Sequence, residues 1–310
     1  MIVRAGNPNY KLVHFSWFFT NWCNYSCQYC SSKTRMVSDW SKVDSISKYK
    51  IVLARLRGLD TDFAVDLFGG EPTLHPNIEE VLHELKQMPR CKGILISTNL
   101  SRSIDFYKKF DQPEFSGITL AGSFHPEYFT DEFANKALTL KSIKYPTFSL
   151  TIILSDKPEY WDKTLEFIKL VKEHGMEYSL QMLTPTPTYQ PNYTSDFFKL
   201  FQSELDHWTE TMTNKYKDVS LAHRYEFEDG SVSMLNEFQI YEKNYYYFKG
   251  YSCTPLFYEI NTDGEIYNLC TSKKIIKMMP KSTDLIKQEV CPKDFCSCET
   301  MFNFYKEKKK

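Results

Sequence analysis

The chain has 310 residues, of which 42% are hydrophobic and 25% are charged, which predicts a globular protein with one large domain or a domain plus an appendage. Its 38 Lys and Arg residues nearly balance 39 Asp and Glu residues, and this balance argues against a nonspecific nucleic-acid binder. The longest apolar run near the N-terminus, 15–19, is too short for a membrane span or a signal-peptide core. We therefore expect a soluble cytoplasmic protein with neither a nucleic-acid nor a membrane partner.

Short apolar runs alternate with amphipathic segments as far as residue 215, which indicates βαβ units and a parallel sheet. Predicted strands cover 12–19, 63–68, 93–97, 118–124, 148–154 and 178–183, and predicted helices cover 42–57, 78–85, 103–110, 131–143, 161–171 and 195–214. Gly175 is placed to end one of these helices. Periodicity alone leaves two alternatives open, a doubly wound open sheet and a barrel with fewer than eight strands.

The pattern changes after residue 215, so we divide the chain into 1–215 and 216–310. Turn signals at 228–230 and 261–264 predict two β-hairpins. Five of the nine cysteines fall within 253–298, which predicts a small α+β extension organised partly by metal. The lysine-rich end, Lys306–Lys310, is predicted to be a solvated tail.

Nine cysteines are too many for packing alone, and a chain with a large core needs no disulfide framework. Cys23, Cys27 and Cys30 have the spacing C-x3-C-x2-C directly after the first strand. Three thiolates on such a loop can hold three irons of a [4Fe–4S] cluster and leave the fourth iron open to a ligand. Structural zinc is the competing interpretation, but it requires four ligands, and this loop contains no histidine.

The second strand ends in Gly69-Gly70-Glu71-Pro72. Two glycines let the backbone turn sharply and approach a ligand closely, and the carboxylate that follows can accept hydrogen bonds from an ammonium group. Alone, the motif is also typical of an ordinary strand-to-helix turn. Together with the cysteine loop after the preceding strand, it indicates a shared ligand site.

On these two motifs, with Tyr29 before the last cysteine, the sequence resembles the radical S-adenosylmethionine (SAM) superfamily over about 11–185. The resemblance implies an α/β fold with a partial (β/α)6 TIM-like barrel. It also implies that SAM binds the open iron and is reductively cleaved to a 5′-deoxyadenosyl radical, which abstracts hydrogen from a substrate. A flavodoxin- or ferredoxin-type reductant would supply the electron.

Further site residues follow from the same resemblance. Tyr29 would contact the adenine of SAM, and the segment Gly69, Gly70 and Glu71 would bind its ammonium group. Polar residues at later strand ends would provide further contacts, although such residues can equally be turn formers. They are Ser97, Thr98 and Asn99 after the third strand, Ser123 and His125 after the fourth, and Gln181 after the sixth.

Cys253 and Cys270 flank the second predicted hairpin and resemble the start of a SPASM or twitch extension, which binds an auxiliary [4Fe–4S] cluster. Cys291, Cys296 and Cys298 would complete the ligand set, without the sequence deciding which of them participate. A four-cysteine zinc site is the alternative. Cys91 stands alone and is predicted to be a packing residue.

The resemblance to SPASM or twitch enzymes favours peptide or protein modification, by cross-linking, epimerisation or oxidation. The same radical chemistry on an amino acid, sugar or nucleotide derivative is the close alternative. An iron–sulfur or zinc protein without catalysis is the alternative of another class, but an open iron and a SAM-binding turn would have no use in it.

Overall fold

The computed structural model describes residues 1–7, 9–30, 32–37, 48–183, 186, 188–215, 223–235, 240, 243–275, 280–294, 296 and 304–309, with backbone alone at 34 and 208–215. Strands and helices alternate along the first part of the chain, as predicted. They are β1 Ile2–Ala5, β2 Val13–Thr20, α1 Tyr49–Arg57, β3 Phe63–Gly69, α2 Ile78–Lys86, β4 Cys91–Thr98, α3 Ile104–Lys108, β5 Ile118–Phe124, α4 Asp131–Lys141, β6 Thr147–Leu154, α5 Trp161–Glu173, β7 Tyr178–Met182 and α6 Ser195–Lys215.

The six predicted strands all lie in one mixed sheet. Strands β2 to β7 lie side by side in chain order, and each neighbouring pair is parallel. A doubly wound sheet would reverse its strand order at a switch point, and the described strands show no such reversal. The order is the one that the partial barrel requires, and the closure of that barrel stays a prediction.

The helices bury the faces that their sequences predict. Helix α2 buries Ile78, Val81, Leu82 and Leu85, and its first turn carries Glu79 and Glu80, where the helix dipole favours negative charge. Helix α5 ends at Glu173, and Gly175 has a positive φ of 56°, as expected for a residue that terminates a helix. The predicted segment 42–57 begins as helix at Tyr49, and its part 42–47 lies outside the described residues.

The last third of the chain adds short strands to two sheets. These elements are β8 His223–Phe227, β9 Val232–Leu235, β10 Ser252–Cys253, β11 Phe257–Ile260, β12 Ile266–Asn268, β13 Lys274–Ile275, α7 Ser282–Leu285, β14 Glu289–Val290 and β15 Lys306–Glu307. Both predicted hairpins form as antiparallel pairs, β8 with β9 and β11 with β12. Gly230 and Gly264 take positive φ values of 80° and 75° at the two turns.

Two long-range pairings connect the beginning of the chain with its end. Strand β11 lies parallel to β2, so the second hairpin extends the main sheet beyond β2. Strand β1 pairs with both β8 and β15 in a second sheet of order β14-β10-β15-β1-β8-β9. Residues 1–7 therefore contact the extension directly, and the proposed division between 215 and 216 stays a prediction.

One expectation for the C-terminus is wrong. Lys306 does not belong to a solvated tail, because it lies in β15 and is 1% exposed. Its backbone pairs with Ala5 and Cys253, and its ammonium group donates to the carbonyl oxygen of Phe304. The charged sequence of 306–310 does not indicate a buried strand, because the strands that pair with it lie far away in sequence.

None of the described helices combines the length and the apolar character that crossing a membrane requires.

Candidate active site

A cavity of about 650 Å³ opens at the carboxyl ends of the parallel strands. The sequence-predicted site residues meet there, since the carboxyl ends of parallel strands share one edge of the sheet. The lining includes Cys23, Cys27, Tyr29, Cys30, Gly69, Gly70, Glu71, Ser97, Thr98, Asn99, Ser123, His125 and Gln181. It also includes Asp66, which the sequence analysis did not single out.

The three cysteines of the loop after β2 are free thiols. Burial raises the pKa of Cys23 to about 11 and that of Cys27 to about 12, and it also raises the pKa of Cys30. Hydrogen bonds reach Cys23 Sγ from the Tyr25 backbone N–H at 3.4 Å and from the side-chain amide of Asn99 at 3.9 Å. Thiolates in this loop thus require a positive partner, which a bound metal cluster provides.

The Gly69-Gly70 turn packs directly against the cysteine loop. Gly69 has a φ of 133°, and a Cβ on Gly70 would lie 1.8 Å from the carbonyl oxygen of Trp22. The two loops are joined by backbone hydrogen bonds, Gly70 N–H to Thr20 O at 2.7 Å and Glu71 N–H to Trp22 O at 2.9 Å. Both glycines are therefore required by backbone geometry, for a left-handed φ and for a close approach.

Glu71 connects the turn to the end of β4. The carboxylate is 1% exposed and accepts from the Thr73 backbone N–H at 3.0 Å, the Thr73 hydroxyl at 2.6 Å, the Thr98 hydroxyl at 2.8 Å and the Asn99 backbone N–H at 2.6 Å. Burial raises its pKa, and these donors oppose the shift. A carboxylate can accept about four hydrogen bonds, so the four donors of the protein occupy the acceptor capacity of Glu71. Ammonium binding by the segment 69–71 stays a prediction.

His125 bridges the cysteine loop and the end of β5. Its Nδ1 lies 3.0 Å from the Tyr29 hydroxyl and 3.6 Å from Cys27 Sγ. Burial lowers the pKa of His125 to about 4, so the imidazole is neutral at physiological pH. Nearby, the rings of Tyr25 and Tyr128 stack with centroids 4.0 Å apart. Of these aromatic residues, Tyr25, Tyr29 and His125 line the cavity, and the adenine contact of Tyr29 stays a prediction.

Asp66 is the site residue that the sequence analysis missed. It lies on β3, and Ser97 Oγ donates to its Oδ1 at 3.3 Å. Burial raises the pKa of Asp66 to about 6, while the Ser97 hydrogen bond lowers it. A signal was present in the sequence, because strict alternation places this carboxyl opposite the core residues Val65 and Leu67.

The second cysteine set forms a separate small cavity. Cys253, Cys270, Cys291 and Cys296 line it together with Lys306. Burial raises the pKa of Cys253 to about 11 and that of Cys270 to about 12, and the Lys306 ammonium opposes both shifts. Of the three late cysteines that the sequence left open, two line this cavity, and Cys298 lies outside the described residues.

The two cysteine sites lie at opposite ends of β2. The loop with Cys23 follows the carboxyl end of this strand, whereas Phe257 at the start of β11 lies opposite His14 at its amino end. Cys253 precedes β11, and Cys270 follows β12 at the same end. Among the described residues, no group of three or more Cys, His, Asp or Glu side chains converges on the position of a single metal ion.

Cys91 lies apart from both cavities at the start of β4. It is half-buried, it packs against the main hydrophobic core, and its thiol donates to Gly93 O at 3.7 Å. These contacts agree with the packing role that its isolation in the sequence predicts.

Comparison with known proteins identifies the family of the chain. The profile of the family described as "Radical SAM superfamily" matches residues 17–201, which is more than half of the chain. A protein named GTP 3′,8-cyclase from Chlorobaculum tepidum is 27% identical over 183 residues, covering 55% of this chain and 53% of the relative. The mitochondrial GTP 3′,8-cyclase of Arabidopsis thaliana is 37% identical over 83 residues, 26% of this chain and 20% of the relative. The chain thus spans about half or less of the length of the curated relatives it matches.

Two solved structures share the fold. Streptococcus suis SuiB bound to S-adenosylmethionine superposes with a TM-score of 0.55 at 13% identity, covering 85% of this chain and 63% of SuiB. Native anSMEcpe with bound AdoMet superposes with a TM-score of 0.55 at 14% identity, covering 83% of this chain and 74% of the other. At these identities, the two similarities concern the fold alone. The chain belongs to the radical SAM superfamily of enzymes, a membership that implies a [4Fe–4S] cluster and SAM.

Proposed function

We propose that this enzyme reductively cleaves SAM at a [4Fe–4S] cluster bound by Cys23, Cys27 and Cys30, and that the resulting 5′-deoxyadenosyl radical abstracts hydrogen from a substrate. The observation that carries the proposal is the packing of the double-glycine turn onto a loop of three free thiols at one cavity. When bound, the cluster supplies an electron and an open iron. The residues fit this group, because three free thiols on one loop match the demand of a cluster for three thiolates.

Other residues that line the cavity stabilise its shape. Gly69 and Gly70 let the turn pack against the cysteine loop at the edge of the cavity, where we propose that SAM binds. Glu71 fixes the turn and the backbone of Asn99 in one hydrogen-bonded unit. The imidazole of His125, hydrogen-bonded to Tyr29 and 3.6 Å from Cys27 Sγ, positions the cysteine loop against the end of β5.

For the substrate, we propose a small molecule rather than a peptide. The curated relatives carry the name of a nucleotide cyclase, and the preference for peptide modification rested on the SPASM resemblance alone. The charge of the cavity supports a substrate other than a triphosphate. Among the described lining residues, Lys33 is the single Lys or Arg side chain, while Asp66 and Glu71 contribute carboxyl groups. A triphosphate would require several positive groups.

We also propose a second, twitch-type site in which Cys253, Cys270, Cys291 and Cys296 bind an auxiliary [4Fe–4S] cluster. Four thiols from three parts of the chain, 253, 270 and 291–296, line one small cavity, which supports a ligand set complete without Cys298. Lys306 adds a buried positive charge beside these thiols, and this charge offsets part of the negative charge of four thiolates. The role we assign to this cluster is to accept the electron that substrate oxidation leaves behind.

We place the enzyme in the cytoplasm, where thiols are kept reduced and a flavodoxin- or ferredoxin-type protein is available as electron donor. Eight cysteines in the described part of the chain are free thiols, in keeping with a reducing compartment.

The test is anaerobic reconstitution with iron and sulfide, followed by incubation with dithionite and SAM. We expect 5′-deoxyadenosine from the wild type and none from Cys27→Ala, with Cys91→Ala as the matched control that retains cleavage. Iron analysis should give about eight irons per chain, since each [4Fe–4S] cluster holds four. Binding of zinc alone with SAM left intact would overturn the proposal in favour of a non-catalytic metalloprotein.

A further inference from the structure

One face of β3 lines the cavity, and this face carries the carboxyl group of Asp66. Phe63, Val65 and Leu67 are at most 1% exposed and belong to the core, whereas Asp66 and Phe68 line the cavity. Successive side chains of a strand point to opposite faces, so this orientation follows from the strand itself. The Asp66 carboxyl thus lies within the cavity rather than on the outer surface of the sheet.

This carboxyl lacks an ionic partner among the described residues. The hydroxyl of Ser97 is the one protein group that donates to it, at 3.3 Å. Burial raises the pKa of Asp66 to about 6, and no charged side chain contributes to that shift. Burying a carboxylate without a cation nearby costs desolvation free energy. A bound cation or a strong hydrogen-bond donor would offset this cost.

Further polar groups in the same cavity have open hydrogen-bonding capacity. Ser123 on β5 and Gln181 on β7 both line it, and neither side chain makes a hydrogen bond to any other described residue. Ser123 is a predicted SAM contact, whereas Asp66 is not. Asp66 lies on β3, three residues before Gly69. The cavity therefore presents to a second molecule a carboxyl group without an ionic partner among the described residues and several neutral polar groups. Lys33 also lines the cavity, but it does not contribute to the pKa shift of Asp66.

We propose that Asp66 binds a protonated amino group of the substrate. The inference rests on the proposed function and deepens it, because it identifies the substrate as an organic amine small enough to share a cavity of about 650 Å³ with SAM. An ammonium group supplies both the missing charge and N–H donors, whereas a phosphate or carboxylate group near Asp66 would be repelled. Ser97 orients the carboxyl, and Ser123 and Gln181 can accept from or donate to neutral groups of the same molecule.

The experiment uses reconstituted enzyme with SAM at pH 7.5 and two probes of equal length, 1,5-diaminopentane and the neutral 1,5-pentanediol. Binding of each probe is measured by calorimetry in the wild type, in Asp66→Asn and in Asp62→Asn. Asp62 is an exposed carboxylate outside the cavity, so its variant controls for the loss of one negative charge. A charge-assisted hydrogen bond predicts that the wild type prefers the diamine by about tenfold to a hundredfold.

We expect this preference to persist in Asp62→Asn and to fall to about one in Asp66→Asn, with the SAM affinity of both variants unchanged. A wild type that does not prefer the diamine, or an Asp66→Asn variant that keeps the preference, would overturn the inference. Loss of SAM binding in Asp66→Asn with the diamine preference retained would assign the carboxyl to SAM instead. None of these outcomes contradicts the proposed function. The proposed function is contradicted by a different result, namely that the wild type does not release 5′-deoxyadenosine.

Discussion

Replacing Gly70 by alanine should separate the two loops that form the proposed SAM site. The added Cβ would lie 1.8 Å from Trp22 O, 2.3 Å from Trp22 C and 3.0 Å from the backbone nitrogen of Cys23. These are backbone atoms, so no side-chain rotation can make room. To reach the 3.0 Å below which real Cβ contacts essentially never fall, the Trp22 carbonyl must move by about 1.2 Å.

This displacement acts on the first cysteine ligand. Trp22 directly precedes Cys23, and its carbonyl accepts the hydrogen bond of Glu71 N–H at 2.9 Å. A misplacement of about 1 Å in a catalytic constellation lowers rates by about a hundredfold, and we expect SAM cleavage by Gly70→Ala to fall by at least that factor. Overpacking of this kind also destabilises a protein by about 1–3 kcal/mol.

The matched control is Gly93→Ala on β4, where the new Cβ would lie 3.9 Å from the nearest atom, an ordinary van der Waals contact. Both variants are reconstituted anaerobically, and 5′-deoxyadenosine is quantified by chromatography under saturating SAM and dithionite. Thermal melting and iron content verify that each variant folds and carries its clusters. The reasoning is refuted if Gly70→Ala, folded and loaded with iron, cleaves SAM within twofold of Gly93→Ala.

Three further outcomes follow from the contacts of single side chains. Glu71→Gln should lower the free energy of unfolding by about 1–3 kcal/mol in urea titrations, because its NH₂ group must face an N–H or O–H donor. An unchanged midpoint and slope would show that the hydrogen bonds of Glu71 to Thr73, Thr98 and Asn99 do not stabilise the turn. Cys253→Ser should lose about four irons per chain and retain SAM cleavage, and a loss of cleavage equal to that of the first cysteine loop would show that the two sites are not independent. Lys306→Met should shift the reduction potential of the second cluster to a more negative value in an EPR-monitored redox titration, since it removes a buried positive charge beside the thiolates. A potential equal to that of the wild type would indicate that Lys306 serves packing alone.

The secondary structure could be predicted from the sequence with good accuracy, because each element is encoded by its own residues. Strand 63–68 shows why: apolar side chains at alternate positions and two glycines at its end specify a buried strand and the turn that follows. Helix α2 is equally local, with its apolar residues spaced at three and four positions. The first cysteine loop could be recognised without the fold, since the three cysteines proposed as ligands lie within eight residues.

The candidate site was predictable only in part, because its inner contacts join distant segments. The sequence predicted an ammonium contact for the segment that contains Glu71, but it gave no sign that the carboxylate accepts from Thr98 and the backbone of Asn99, about 27 residues away. Asp66 was overlooked because a carboxyl within an apolar strand gains meaning only once the direction of the strand face is known. Burial and hydrogen-bond partners of this kind depend on which strands become neighbours.

By itself, the sequence determined the alternation of strands and helices, the C-x3-C-x2-C loop and the double-glycine turn, each of which depends on neighbours within a few residues. Tertiary structure alone decided that β1 pairs with β15, that Lys306 is buried and that Cys253, Cys270, Cys291 and Cys296 meet at one cavity. The physical reason is the range of the forces involved. Local periodicity sets the type of each element, whereas its partners are selected by burial and hydrogen bonding summed over the whole chain.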